Sequence, residues 1–253
     1  MRTWIIGAAA VLALAVPGVA AAQATGYVGA SYSSTDHSGP GDSVDSYGVE
    51  GAVAFAGSSS ISFEVDAAWA TTDDNNNNDD ATSLVGHVFA RNDSHLLGGF
   101  VGINDSDALD TTWFAGVEGA LYYDHLTLGA SVAYANNDDN NVDGWGVQGD
   151  VRYFATDNFR LGANVGWASI DAGGPGGNDD AWLAGVNGEY QFSSIPISLG
   201  LGYEHAELSD NNNADADAWT VRLRYNWGGT LYDRDRHGAS QADQVAFTSL
   251  FGL

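Results

Sequence analysis

From about residue 25 onward, apolar and polar positions alternate with a period of two, in segments that recur along the chain. In the last segment Trp219, Val221, Leu223, Tyr225 and Trp227 point one way, and Thr220, Arg222, Arg224 and Asn226 the other. An early one sets Ile61, Phe63, Val65, Ala67 and Trp69 against Ser62, Glu64, Asp66 and Ala68. The stretches Trp145–Phe154 and Trp182–Gln191 repeat the pattern. Each such segment is predicted to be a strand with one apolar face and one polar or small face.

The gaps between segments are as regular as the segments. Six are rich in Asp, Asn, Ser and Gly: Asp36–Asp45, Asp73–Asp80, Asn104–Asp110, Asn136–Asp143, Asp171–Asp180 and Asp210–Asp217. Five short breaks lie between them, at Gly57–Ser60, Asn92–His95, Asp124-His125, Thr156–Asn158 and Ser193–Pro196. Long and short gaps alternate strictly, so residues 25–229 divide into twelve segments of about ten residues. Pro40, Pro175 and Pro196 all fall in gaps, as hydrogen-bonded strands require.

Aromatic placement decides what the apolar face touches. A soluble sandwich collects aromatics mid-strand in a shared core, whereas a membrane-spanning barrel sets them at both strand ends, at headgroup depth. Here Trp69, Trp113, Trp145, Trp167, Trp182 and Trp219 lie near the long gaps. Phe55, Phe63, Tyr123, Tyr153, Phe159, Phe192 and Trp227 lie near the short breaks or the end of the last segment. Between the two belts the apolar face is Val, Leu, Ala and Gly. A sheet in hydrocarbon must close on itself, because every backbone amide needs a partner there. The predicted fold is therefore all-β: a closed antiparallel transmembrane barrel of twelve strands.

Charge and composition sharpen this. The 253 residues carry 33 Asp plus Glu against 8 basic residues, a formal charge of -25, and every basic residue is Arg. A nucleic-acid partner is excluded, because counterion release needs clustered cations facing phosphates. Adsorption to an anionic membrane surface is disfavoured for the same reason. With no Cys there is no disulfide, thiolate metal site or thiol nucleophile. Nineteen of the 33 acidic residues fall in the six long gaps.

Residues 1–24 have the layout of a secretory signal peptide. Arg2 precedes the apolar run Trp4–Val16, then Pro17-Gly18 and small residues that allow cleavage after Ala22 or Ala24. The apolar run is shorter than the ~20 residues of a spanning helix.

In its leader, aromatic belts, short turns and long acidic gaps, the span 25–229 resembles the Gram-negative outer-membrane β-barrels, specifically small porin-like proteins. The resemblance implies residence in the outer membrane of a Gram-negative bacterium, short turns on the periplasmic side and long acidic loops outside. It also implies an aromatic residue closing the last strand. Here the chain continues past Trp227 to Phe251-Gly252-Leu253. The tail, 230–253, is expected to be periplasmic, plugging or an extra strand. Ser240 followed by Asp243 suggests the cap of a short helix carrying Phe247, Leu250 and Phe251 on one face.

Strand parity then assigns the lumen. The inward ionisable positions are Glu50, Glu64, Asp66, His87, Arg91, Glu118, Asp150, Arg152, Arg160, Glu189, Glu204, Arg222 and Arg224. They suit two roles: ion pairs that brace the wall, and opposed charges that line an aqueous constriction. Inward glycines, among them Gly98, Gly102, Gly116, Gly129, Gly162, Gly185, Gly200 and Gly202, suggest a thinly lined and partly open interior.

The acidic gaps offer hard oxygen ligands suited to Ca²⁺ or Mg²⁺: Asp73, Asp74, Asp79, Asp80, Asp138, Asp139, Asp143, Asp210, Asp215 and Asp217. None fits an EF-hand, and a solvated acidic rim is the plainer account. His37 beside Asp36, and His205 between Glu204 and Glu207, are the generic acid-histidine candidates. No G-x-S-x-G, H-E-x-x-H or phosphate-binding loop occurs, so no enzyme and no required cofactor are expected. The expected function is passive diffusion of small hydrophilic solutes with a preference for cations. The alternative is a non-conducting structural or surface-interaction barrel whose acidic loops bind divalent cations, lipopolysaccharide or a surface partner. Outer-membrane lipid and lipopolysaccharide are the expected surroundings in either case, and the oligomeric state is left open.

Overall fold

The computed structural model describes residues 24–38, 43–56, 61–74, 77–107, 110–171, 178–209 and 214–241. The expected leader therefore lies outside the described residues, except that Ala24 opens the first strand and pairs with Phe55. Cleavage after Ala22 keeps that ladder whole.

Twelve strands form the wall: β1 (Ala24–His37), β2 (Val44–Ala56), β3 (Ile61–Asp74), β4 (Asn77–Arg91), β5 (His95–Ser106) and β6 (Asp110–Tyr123). They continue as β7 (Leu126–Asn137), β8 (Val142–Thr156), β9 (Phe159–Asp171), β10 (Asn178–Gln191), β11 (Ile197–Ser209) and β12 (Ala214–Trp227). Each pairs antiparallel with its neighbours in the chain, and β1 pairs with β12 from Gly26↔Trp227 to His37↔Ala216. The ring is closed, so no strand edge is left for lipid to meet. β12 ends at Trp227, as the aromatic closure of such barrels implies.

The strands are longer than the sequence suggested. Each runs 12 to 15 residues, because the ladder continues into the acidic stretches. Thr72↔Asp79 and Asp73↔Asn78, for example, are ladder partners, leaving only residues 75 and 76 between β3 and β4. At roughly 3.3 Å per residue and a tilt of about 40°, such strands rise roughly 30–38 Å, above an apolar band about 25 Å tall. The expected long acidic loops are therefore corrected to an acidic extension of the wall with short caps. Asp110 and Asn141, at φ 55 and 52, take the left-handed conformation at two of those turns.

The two faces separate as the alternation requires. Leu97, Val117, Val165, Leu201 and Trp219 are 59–68% exposed on the outer face, while inward Glu64, Phe114 and Leu183 are at most 1% exposed. An outward apolar surface this continuous is what hydrocarbon solvates.

After Trp227 the chain turns back on itself. Gly228 and Gly229 hold φ of 93 and 134, open to glycine at little cost. A helix, α1 (Leu231–His237), follows, capped by a reciprocal pair in which Thr230 accepts from the Asp233 amide and Asp233 accepts from the Thr230 amide. The helix expected to follow a Ser240 cap, with Asp243, Phe247, Leu250 and Phe251, lies outside the described residues.

The lipid-facing assignment is tested at the middle of β6. Val117→Arg should lower the unfolding free energy by about 2–4 kcal/mol, read by urea titration of the vesicle-inserted barrel through its tryptophan fluorescence. A change below about 0.5 kcal/mol would mean that this face is solvated by water.

Candidate functional site: the charged lumen

All thirteen ionisable positions assigned inward by parity do face inward, and nine of them are at most 9% exposed. They form a belt in the periplasmic half of the barrel. Its hub is Glu189, which accepts from Arg160 at 3.1 Å, Arg224 at 3.4 Å, Arg234 of α1 at 3.4 Å and the Ser198 hydroxyl at 2.6 Å. Arg224 also donates to Glu50 at 2.7 Å and stacks 4.1 Å over the Tyr27 ring. Arg152 bridges Asp150 at 2.8 Å and Asp235 of α1 at 2.5 Å. His87 stands between Asp66, at 2.8 Å from Nε2, and Glu118, at 3.0 Å from Nδ1. Charges this deeply buried persist only when paired, and here Arg224 joins carboxylates of two strands, Glu50 and Glu189, while Arg152 joins one of the wall to one of α1.

Two members of the set are less committed. Glu204 accepts only a long contact, 3.4 Å, from Asn164. Arg222 is half-buried and has no hydrogen bond or ion pair among the described residues. It lines a cavity of about 270 Å³ at mid-lumen together with Glu50, Asp66, Asp150, Arg152, Arg160, Arg224, Asn164 and Asn187.

Above the belt the lumen is lopsided. On one side Val85, Phe100, Phe114, Ala133, Ala135, Ala168, Ala181 and Leu183 form one buried apolar cluster, of which Val85 and Phe114 border the cavity. On the other, β1, β2, β3 and β12 present Ser31, Ser33, Ser46, Ala68, Ala70, Thr72 and Thr220, all half-buried and all small. We call this second side, which borders the cavity at Ala68, the vestibule.

The glycine expectation needs correcting at several positions. A Cβ on Gly102 would press into the Phe114 ring, one on Gly162 would meet Asn187 Oδ1 at 2.6 Å, and one on Gly185 would meet Asn164 Oδ1 at 2.6 Å. These glycines are hollows that receive a side chain from the next strand, so they fill the lumen rather than open it. Gly200 and Gly202 stand clear, with nothing closer than 3.5 Å.

The periplasmic mouth holds α1, which the sequence reading missed. Arg234 donates to Asn226, and Asp235 accepts from Thr127 at 2.6 Å as well as from Arg152. Arg236 donates to the carbonyls of Tyr123, Asp124 and Leu126 at 2.8–3.2 Å and lies 4.8 Å from the rings of both Tyr122 and Tyr232. Every Arg after Arg2 thus sits inside the barrel. The Gly-Gly turn followed by Thr230 and Asp233 was the available signal for this helix.

The rim is built differently. Tyr32, Tyr134 and Tyr203 on the outer face donate to Asp45, Asp143 and Asp217 across the strand pair, at 3.0, 3.2 and 2.6 Å. Trp182 donates to Glu207 at 3.0 Å. His205 contacts Asp217 at 2.9 Å, also on the outer face and away from the lumen. Of the metal candidates, Asp73, Asp79, Asp80, Asp143, Asp215 and Asp217 stand on strands, and Asp138 and Asp139 occupy the turn after β7. The Asp74 side chain and Asp210 lie outside the description. Among the described residues no three His, Cys, Asp or Glu side chains converge as a metal site.

A closed ring with a lipid-solvated exterior, two aromatic girdles and a charged lumen defines an outer-membrane β-barrel. Residues 98–232, more than half of the chain, match the Gram-negative porin family, and the chain belongs to it. Its place is the outer membrane. Among solved structures it is similar to the KdgM porin, at TM-score 0.54 and 10% identity over 79% of this chain and 99% of that one. It is also similar to an outer-membrane channel from Pseudomonas putida F1, at TM-score 0.58 and 13% identity over 84% and 97%. A third is the translocator domain of the autotransporter NalP from Neisseria meningitidis, at TM-score 0.54 and 12% identity over 86% and 92%. At these identities the likeness is one of fold. No curated protein matches the chain.

The belt's contribution is tested at its hub. Glu189→Ala removes a buried acceptor shared by three guanidiniums and should cost about 3–5 kcal/mol by urea titration in vesicles. A loss near that of a surface pair, under about 1 kcal/mol, would show the belt to be solvated and the charges independent.

Proposed function

We propose that the protein is a passive channel for small hydrophilic solutes, narrow and cation-preferring. The observation that carries this is the separation of charge between rim and lumen. Inside the barrel the seven Arg from Arg91 to Arg236 meet eight carboxylates, Glu50, Glu64, Asp66, Glu118, Asp150, Glu189, Glu204 and Asp235, so the lumen is close to neutral. The rim has acidic residues and no basic ones to offset them. Its negative potential raises the cation concentration at the entrance, and opposed charges around a cavity of about 270 Å³ then screen by size and hydration. The solute moves down its own gradient, and no cofactor takes part. Divalent cations gathered by the rim carboxylates bridge it to the phosphates of lipopolysaccharide.

The second reading, a non-conducting barrel that serves the surface, draws on the presence of α1 in the periplasmic mouth. Single-channel recording separates the two. The full chain in a planar bilayer under a tenfold KCl gradient should give discrete current steps with a reversal potential of the cation sign. A reversal at zero or of the anion sign would remove the cation preference. Silence over long recordings at all voltages, with the folded barrel verified by its slower migration when unheated, would remove the channel.

A further inference from the structure

The chain end is held in two different ways, and the difference divides it into a fixed part and a hanging part. α1 is fixed by buried charge: Arg152 to Asp235, Arg234 to Asn226 and Glu189, and Arg236 to three carbonyls. It sits over the β6–β9 side of the mouth, where Tyr232 packs edge-on against Phe154 and donates to the Asp124 carbonyl at 2.8 Å.

The next four residues, Gly238–Gln241, cross to the β1–β4 side and are held mainly by their main chain, with Ser240 Oγ adding contacts to Arg91 at 3.2 Å and to the Asp235 carbonyl at 3.4 Å. Arg91 donates to the Gly238 carbonyl at 2.7 Å, and Thr25 accepts from the Ala239 amide at 3.0 Å. The two oxygens of Glu64 accept from the successive amides of Ser240, at 3.1 Å, and Gln241, at 2.9 Å. Ala239 packs on Tyr27, Ala52 and Ala54, where no long side chain anchors it. Ala239 and Gln241 are fully buried, yet Gln241 Oε1 and Arg91 Nε find no hydrogen-bond partner among the described residues.

The position is telling. The β1–β4 side lies beneath the vestibule of small hydroxyl residues, so these four residues close the less densely filled side of the lumen. We propose that Thr25, Glu64 and Arg91 form a receptor for an extended peptide main chain, and that its occupant, residues 238–241, is a detachable strap that opens and closes the periplasmic mouth. The inference rests on the channel reading. The receptor reads three amides and one carbonyl, and a single hydroxyl at Ser240, so an extended peptide of small residues has the chemistry to occupy it.

The chain has no cysteine, so single thiols report cleanly. In the vesicle-inserted full chain, Ala239→Cys should be labelled by a membrane-impermeant maleimide slowly but completely, at a rate set by detachment. Adding Glu64→Gln, which leaves one acceptor where two amides point, should speed labelling roughly tenfold to a hundredfold. Thr25→Cys with Ala239→Cys, neighbours in the docked state, should silence the current steps when oxidised and restore them when reduced. No labelling over hours overturns the detachable strap. Equal current in the oxidised and reduced states overturns its role as a gate while leaving the channel intact. Normal labelling with silence in both redox states overturns the channel reading and the gate with it.

Discussion

No water reaches the middle of a bilayer, and an unpaired amide there costs several kcal/mol. This constraint fixes almost everything else in the molecule. It requires a closed ring, supplied by the β1–β12 ladder, and with it an even number of antiparallel strands whose two ends lie on the same side. It makes inside and outside a matter of parity, so that one residue of register decides whether a side chain meets lipid or lumen. It also places the chain end, once β12 is complete, at the periplasmic mouth with nowhere else to pack.

A ring of twelve strands brings a second constraint. About eight strands enclose an interior that wall side chains alone can fill, and more strands leave space over. Three fillings are used here. Phe100 and Phe114 lay their rings in the hollows of neighbouring glycines on one side. Arg and carboxylate side chains span the lower half, where the guanidinium suits the task because its planar fork serves several acceptors while its face stacks on Tyr27 or Tyr122. The chain end fills the floor.

Parity was legible because each strand has a strongly apolar face, so the thirteen lumen charges, the girdles and the end of β12 at Trp227 could all be read from alternation. The strand ends were not. Asp and Asn disfavour strands as isolated residues, but Asp79 and Asn78 have partners already in register, and ladder pairing overrides the weak local preference. Glycine was misread for a related reason: Gly162 and Gly185 are filled by Asn187 and Asn164, which belong to other strands, and a missing side chain does not announce what replaces it. The helix Leu231–His237 was missed because its charged run looks like solvated surface. Its burial depends on Thr127 and Arg152, about a hundred residues earlier in the chain.

The distribution of charge follows from these fillings and not from any single site. A guanidinium inside the barrel meets carboxylates at 2.5–3.4 Å in a place that water reaches poorly, so the lumen tolerates charge only in near balance. The rim stands in water, where like charges repel weakly and are screened within about 8 Å at physiological salt, so it tolerates a large excess of one sign. The same residues that balance the interior therefore leave most of the net charge at the outer end, with Asp93, Asp124 and Asp157 in the short turns opposite. On the proposed channel function, this arrangement sorts solutes first by sign at the rim and then by size in the half of the lumen that phenylalanine and arginine leave unfilled. The side of that half facing the periplasm is covered by four residues held mainly through their backbone.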